Sequence, residues 1–150
     1  MRDGYTPNDP ALQAWLDGHR YRTDDRATWW RPWLDLVVEV TNRGVELRRA
    51  RIVSEPVSTY IRYEYDTTYG NVRAGEQVRW LPRRLATDLL LPGNDFWLFD
   101  SRTLLINHFT GDGDATEPEL VNDPTLAAQH GDAFESVWQR AVPHDSYRLS

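Results

Sequence analysis

The sequence predicts a single α/β domain built on a small mixed β-sheet that is flanked by helices. Three observations lead to this fold class. A strand, a helix and a second strand follow one another between Gly44 and Pro82. Two short apolar strands then follow a turn at residues 92–94. Seven tryptophans are spread over the 150 residues. A chain of this length can bury roughly two thirds of the surface that it exposes when unfolded. We therefore expect one domain over residues 1–150.

Residues 1–24 are expected to form an N-terminal arm with one short helix packed on the body. The helix covers the apolar-patterned residues 11–16 and is closed by Gly18. Asn8-Asp9-Pro10 suits a helix start, because proline fits the first helical turn. Trp15 and Leu16 are the side chains expected to hold this piece in place.

A second helix is predicted to begin near residues 29–31, with Pro32 in its first turn, where no backbone hydrogen bond is lost. Apolar residues continue at helical spacing as far as Val40 and cover two faces. Gly44 is expected to end this helix in the left-handed conformation.

The central strand–helix–strand unit is predicted from two apolar strands, residues 45–53 and 77–81. Ser54 is expected to cap the intervening helix, with Pro56 in its first turn, and the helix is expected to fray by Gly70. Both strands are largely apolar, which favours a parallel pair with a right-handed crossover. Arg49 and Arg51 fall on one face of the first strand, where one of them is expected to pair with an acid.

The second half of the chain is predicted to contain a hairpin and a final helix. A connector over residues 83–91 with a helical turn leads to the hairpin. Its strands cover residues 95–100 and 103–109 and are joined by Ser101-Arg102. Residues 111–114 read as a loop. Asp123-Pro124 is expected to start the last helix, and Pro143 to end it.

Composition excludes several classes of protein. The chain has no cysteine, which excludes disulfides and zinc–thiolate sites. No apolar run approaches the roughly 20 residues of a membrane span, so we expect a cytoplasmic protein without a membrane partner. The net charge is −6, and every basic residue is arginine. An acidic chain does not favour direct nucleic-acid binding, which relies on phosphate neutralisation. No cofactor is expected.

The chain resembles an actinobacterial family of unknown function whose genes often lie beside helix-turn-helix regulators. The segments that carry the resemblance are 25–30 (DRATWW), 49–58 (RARIVSEPVS), 60–64 (YIRYE), 78–83 (VRWLPR) and 91–100 (LPGNDFWLFD). The order of elements also resembles one half of a phospholipase D-like fold. Since such halves often work in pairs, this resemblance implies a homodimer.

Active phospholipase D-like enzymes carry a His-x-Lys-x4-Asp motif. If Asp100 is aligned with the aspartate, Gly93 falls at the histidine position and Asp95 at the lysine position. Glycine cannot attack phosphorus, a carboxylate would repel phosphate, and the chain contains no lysine. The resemblance therefore implies a scaffold without this chemistry, kept for binding or regulation.

A ligand cleft is predicted where the strands of the first sheet end. In open α/β sheets, ligands collect outside the carboxyl ends of the strands, and arginine beside tryptophan can grip an anion. The predicted ligand-binding residues are Ser54, Glu55, Arg62, Tyr63, Trp80, Arg83, Asp95 and Trp97. The structural alternative is that Ser54 only caps a helix, that Arg83 is a surface arginine and that Asp95 is a turn residue.

A metal site and a nucleophilic site both have weak support. His108, Asp112 and Asp114 have suitable atoms, but their spacing fits neither a calcium loop nor a zinc pattern and is more typical of a turn. No Gly-x-Ser-x-Gly elbow is present. We assign no catalytic residue.

The favoured function is a non-catalytic cytoplasmic binding or regulatory module. The resemblance implies a helix-turn-helix regulator as its protein partner, and the cleft implies a small-molecule ligand. One alternative is a hydrolase-type enzyme that uses carboxylate or histidine acid–base chemistry. Another is a toxin–antitoxin component that neutralises its partner through the acidic segment 112–135, which contains no arginine.

Overall fold

The computed structural model describes residues 3–4 and 9–150 of the chain. These residues contain four α-helices and two three-stranded sheets. The helices are α1 (Pro10–Leu16), α2 (Pro32–Asn42), α3 (Thr59–Arg73) and α4 (Pro124–Arg140). The strands are β1 (Arg48–Val53), β2 (Gln77–Pro82), β3 (Asp95–Phe99), β4 (Thr103–Asn107), β5 (Glu119–Val121) and β6 (Val142–Pro143). Short 3-10 turns cover Arg26–Thr28 and Arg83–Ala86. The predicted α/β class is confirmed.

The first sheet has the strand order β1-β2-β6 and is mixed. β1 and β2 run parallel in the register Arg48↔Gln77 to Val53↔Pro82, which confirms the predicted parallel pair. β6 runs antiparallel to β2 and pairs Val142 with Trp80. The chain after α4 therefore returns to the sheet and takes the free edge of β2.

The hairpin of β3 and β4 belongs to a second sheet, with the order β3-β4-β5. The expectation of one sheet was therefore wrong. The edge of β2 that a hairpin could have joined is occupied by β6, and the hairpin instead pairs with β5. β5 lies within the acidic segment and is only three residues long, too short for a pattern in the sequence to indicate it.

The hairpin turn lies one residue earlier than predicted. Asp100 and Ser101 have φ angles of 50° and 56°, and the Arg102 amide donates to the Phe99 carbonyl at 3.0 Å. Two successive positive φ angles are typical of the tight turns that match the twist of a hairpin.

Three predicted helix boundaries are confirmed. Asp9 and Asp123 cap α1 and α4 with their carboxylates, and Pro10 and Pro124 follow them. Gly44 has a φ of 86° directly after α2. Among the described residues, no helix has both the length and the apolar character needed to span a bilayer.

The start of α3 differs from the prediction. Ser58, not Ser54, is its N-cap, and its Oγ accepts a hydrogen bond from the Ile61 amide at 3.2 Å. Ser54 lies four residues earlier, and its amide and hydroxyl bind the carboxylate of Asp3 instead. The helix therefore begins at Thr59.

The end of α3 also differs, because the helix continues through Gly70 to Arg73. Gly70 lies where α3 meets α2. A Cβ at this position would lie 3.0 Å from Leu34 Cδ1 and 3.3 Å from Trp29 Cε3. The glycine therefore allows the two helices to approach closely, and it does not mark a helix end.

Replacing Gly70 with alanine is expected to lower the free energy of unfolding by about 1–2 kcal/mol. Overpacking costs about 1–3 kcal/mol, and Leu34, which the new methyl group would press against, is fully buried. A helical alanine recovers at most about 1 kcal/mol. Urea denaturation measures the change.

Gly131→Ala in α4 is the matched control. Its Cβ would lie at an ordinary 3.5 Å from Leu98 Cδ2, so this variant should be neutral or more stable. Equal effects of the two substitutions would contradict the close α2–α3 contact.

The core lies on both faces of the first sheet. One face packs on α3 and the C-terminal segment through Val53, Val57, Ile61, Val78, Trp80 and Tyr147. The other face packs on α4 through Ile52, Leu81, Ala86, Val137 and Ala141. β1 forms the outer edge of this sheet, and the candidate site lies beside it.

Candidate functional site

Two arginines occupy positions of β1 that would normally be apolar. Side chains alternate along a strand, so Arg49 and Arg51 share with Val53 the face that packs on α3. Each is paired: Arg51 Nη2 donates to Glu64 Oε2 on α3, and Arg49 Nε donates to Glu76 Oε1 just before β2. The prediction that an acid pairs with one of them is confirmed for both.

A buried chain of hydrogen bonds fixes the orientation of Arg49. The Glu76 side chain has no solvent exposure. Its second oxygen, Oε2, accepts from Asn71 Nδ2, and Asn71 Oδ1 accepts from Arg31 Nη2 at 2.6 Å. A buried carboxylate needs hydrogen-bond donors on its oxygens. Glu76 has Arg49 on one oxygen and Asn71 on the other, so both side chains hold this carboxylate in one geometry.

The first cavity lies beside these arginines and has a volume of about 600 Å³. Its described lining includes six aromatic residues and three arginines. The aromatic residues are Trp29, Trp30, Trp33, Trp97, Tyr21 and Tyr63, and the arginines are Arg31, Arg49 and Arg51. Burial raises the pKa of Tyr63 well above that of a free phenol, so this ring faces the cavity with a neutral hydroxyl.

The second cavity, of about 400 Å³, lies on the other side of the two arginines, between β1 and β3. It shares Arg49, Arg51, Glu64 and Trp97 with the first cavity. Asn94, Asp95, Phe96, Phe109 and Phe134 complete its lining on the side of the second sheet and α4. The two cavities therefore adjoin at these shared residues, and we name them together the arginine cleft.

Trp97 brings the second sheet into contact with the arginine cleft. Its indole ring lies 5.1 Å from the Arg49 guanidinium and 5.9 Å from the ring of Trp33 on α2. A guanidinium near the face of an indole gains a cation–π attraction. Trp97 thus lies beside the Arg49 guanidinium, and both residues line both cavities.

Four nitrogen donors on three cleft residues lack acceptors within the described part of the chain. Arg49 donates only through Nε, so its two Nη groups make no hydrogen bond there. Arg51 Nε and Trp29 Nε1 are buried and unpartnered. Buried donors are rarely left without an acceptor, and all three residues line the first cavity.

Trp80 lies beneath the cleft and not in it. It is fully buried, stacks on Tyr147 with an interplanar angle of 4°, and carries the Arg51 guanidinium 5.4 Å from its ring. Its Nε1 donates to His144 Nδ1 at 3.2 Å. Burial lowers the pKa of His144, and the charge of Arg51 lowers it further, against an opposing effect of Asp145.

Stability is expected to fall as the pH drops from 7 to 5.5. The folded protein keeps His144 neutral, whereas the unfolded chain takes up a proton near pH 6.5. The unfolded state then binds more protons, so unfolding becomes easier below that pH, by at most about 1.4 kcal/mol per pH unit. A protonated Nδ1 would also be unable to accept from Trp80.

Urea midpoints measured across this range test the effect. His144→Gln keeps an acceptor for Trp80 and should flatten the pH dependence, while the same change at exposed His19 should leave it intact. A slope that persists in His144→Gln would assign the effect to other groups.

Ser54 and Arg83 lie together at the carboxyl ends of β1 and β2. Arg83 Nε donates to Ser54 Oγ at 3.1 Å, and both contact the Asp3 carboxylate. Burial alone would raise the pKa of Asp3, but hydrogen bonds from Ser54 and the charge of Arg83 outweigh it and lower the pKa below its usual value.

The other predicted site residues lie apart from this pair. Glu55 accepts from the Tyr147 hydroxyl at 2.8 Å and pairs with Arg84 at 3.5 Å. Arg62 lies on the exposed face of α3. Tyr63 and Trp97 meet in the first cavity, and Asp95 lines the second. The structure thus divides the predicted residues among the arginine cleft, the Ser54–Arg83 pair, the buried core and the surface.

The sequence did not indicate the partners of Arg49 and Arg51, which are Glu64, Glu76 and, through Glu76, Asn71. We name these five residues the ion-pair layer. The spacing of Arg49 and Arg51 was the available signal for this layer. It showed that two cations share a strand face, but it did not show which acids meet them.

The weak metal candidates do not form a site among the described residues. His108 Nε2 lies 3.1 Å from Glu119, while Asp112 and Asp114 belong to a turn in which the Gly113 amide donates to the Thr110 carbonyl. Within the described ranges, no three side chains of histidine, aspartate or glutamate come close enough to hold a metal ion.

Together, the fold and the cleft define a small α/β domain with a cavity that aromatic and arginine side chains line. A family described as a domain of unknown function (DUF6879) matches residues 1–149, so the chain belongs to that family. Comparisons with curated proteins and with solved structures find no match.

Proposed function

We propose that this protein is a binding module, and that its arginine cleft holds a small planar ligand with a carboxylate or phosphate group. The proposal rests on the hydrogen bonding of the Arg49 guanidinium. Its Nε is fixed by the buried Glu76, and its two Nη groups make no hydrogen bond among the described residues. The side chain remains 26% exposed, so a ligand can reach it.

The chemistry of the cleft matches such a ligand. A guanidinium edge with two N–H groups binds a carboxylate or phosphate through two parallel hydrogen bonds. The aromatic walls offer flat apolar surfaces against which a planar group can pack. A ligand that joins an anionic head to a flat ring would use both features.

Directed hydrogen bonds, and not a diffuse positive field, would provide the recognition. Arg31, Arg49 and Arg51 are balanced by Asp9, Glu64 and Glu76 around the first cavity. Affinity is therefore expected to depend only weakly on salt, since screening acts mainly on exposed and separated charges.

This arrangement favours binding over acid–base catalysis. A general acid or base needs a carboxylate that can exchange a proton with the substrate. Glu64 and Glu76 are instead held by arginines. We therefore place the hydrolase alternative second.

Arg49→Lys tests the proposal. Lysine keeps the positive charge beside Glu76 but lacks the two-pronged edge. Tryptophan fluorescence would report binding of benzoate, phenyl phosphate and adenosine monophosphate to the wild type. For any probe that binds, the Kd should rise by about 10- to 100-fold in Arg49→Lys, the value of a hydrogen bond to a charged group.

Arg62→Lys on the exposed face of α3 is the matched control and should bind as the wild type does. Equal affinity of Arg49→Lys and wild type would show that Arg49 is not the anchor. If none of the three probes bound to the wild type, the proposed ligand class would be wrong.

We also propose that the module acts with a protein partner, a helix-turn-helix regulator, on a scaffold related to one phospholipase D-like half. The family resemblance supports the partner, and the parallel β1–β2 pair supports the scaffold. Exposed carboxylates at Asp112, Asp114 and Glu117 could meet a basic partner surface. A pull-down at low and high salt tests this, and a partner held equally at both would not use the acidic segment.

A further inference from the structure

We propose that Ser54 and Arg83 form a carboxylate-binding site that the chain's own Asp3 occupies. This site is separate from the arginine cleft and does not depend on the function proposed for that cleft. Its ligand class is a small carboxylate, which binds when the side chain of Asp3 leaves.

Three donors converge on the carboxylate of Asp3. The Ser54 amide donates to Oδ1 at 3.0 Å, and the Ser54 hydroxyl donates to Oδ2 at 2.6 Å. Arg83 Nη2 contacts the same Oδ2 at 3.5 Å. Each oxygen of a planar carboxylate therefore has its own donor, and a positive charge stands behind one of them.

The donors are positioned by the core and not by Asp3. Ser54 directly follows β1, and Arg83 directly follows the neighbouring strand β2. Arg83 is held by the Ile52 carbonyl at 3.2 Å and by Ser54 Oγ at 3.1 Å. The site thus lies at the carboxyl ends of two parallel strands, the place where open α/β sheets collect ligands, and its geometry would persist without Asp3.

The occupant comes from a distant part of the chain and stays near the surface. Asp3 lies 51 residues from Ser54 in sequence. The side chains of Asp3 and Arg83 remain 25% and 37% exposed, so solvent and small ions reach the site. A tethered group competes at an effective concentration of about millimolar, so free carboxylates at lower concentration would not displace it from the wild type.

Chemical rescue tests the proposal. Asp3→Ala empties the site, and sodium acetate supplies the missing carboxylate. Against sodium chloride of equal ionic strength, acetate should raise the Tm of Asp3→Ala in a saturable manner, by about 3–6 °C at tenfold excess over its Kd. The wild type, and the double variant Asp3→Ala/Arg83→Ala, should not distinguish acetate from chloride.

The Ser54 amide gives a second measurement if the double variant folds poorly. Its resonance in a ¹⁵N-labelled Asp3→Ala or Asp3→Asn protein should shift saturably with acetate and remain unchanged in the wild type. A Tm that rises equally in all three proteins, or a Ser54 resonance that does not move, would overturn the proposal. A response to inorganic phosphate but not to acetate would also overturn the assigned ligand class.

Discussion

Glu76→Gln is expected to lower the free energy of unfolding by about 2–4 kcal/mol. Removing one partner of a buried ion pair costs about 3–5 kcal/mol, and the partial exposure of Arg49 reduces this figure. Both Glu76 oxygens accept hydrogen bonds, from Arg49 and from Asn71. Glutamine offers one acceptor only, so one of these donors would face an NH₂ group.

Glu39→Gln provides the control for this prediction. Glu39 pairs with Arg43 at 3.7 Å, and both side chains are about two thirds exposed, so its loss should cost less than about 0.5 kcal/mol. Urea denaturation compares the two variants. Similar losses would mean that the buried ion-pair layer contributes no more than a surface pair.

Trp80→Ala is expected to cost about 3–5 kcal/mol, the range for truncating a fully buried aromatic side chain. The ring has no solvent exposure, stacks on Tyr147 at a centroid distance of 5.7 Å and lies beneath the Arg51 guanidinium. The substitution would leave a cavity in the core and expose the charge of Arg51 to it.

Trp33→Ala is the control, because it removes the same type of side chain from a less buried position. Trp33 lines the arginine cleft and is 37% exposed, so we expect a smaller loss of stability. Thermal unfolding followed by circular dichroism measures both variants. A Trp80→Ala protein as stable as Trp33→Ala would be inconsistent with the position of Trp80 in the core.

Local signals in the sequence were sufficient to predict most elements. Asp9 and Asp123 each precede a proline, and both cap helices, because an acidic cap and a proline fit the same first turn. The apolar strands around α3 predicted the parallel pair, which needs a helical crossover. These features depend on residues that are close in sequence.

Features that depend on distant contacts were not predictable from local pattern. Ser54 and Ser58 are equally good caps by residue type. Ser58 caps α3, and no local signal indicates that Ser54 instead meets Asp3, 51 residues away. Gly70 is a helix breaker by propensity, but it lies within α3, where Leu34 of the neighbouring helix leaves little space for a Cβ atom. The pairing of β6 with β2 involves only two residues, Val142 and Pro143, too few for a pattern in the sequence to indicate it.

The candidate site was predictable only in part for the same reason. Arg49 and Arg51 on one strand face indicated a paired cation, and Tyr63, Asp95 and Trp97 were among the predicted ligand-binding residues. Their arrangement around one cleft depends on where the second sheet packs, and no pattern in the sequence gives that position.

The separation of the two sheets implies that the hairpin can open without loss of the rest of the fold. Within the described residues, β3, β4 and β5 pair only with one another. The hairpin meets α4 through side chains such as Phe96, whose ring centroid lies 4.7 Å from that of His130. Units held mainly by side-chain contacts open at lower free energy than the core. Amide hydrogens of β3 and β4 should therefore exchange with solvent sooner than those of β1 and β2. Because β3 carries Trp97, this opening would admit molecules to the arginine cleft.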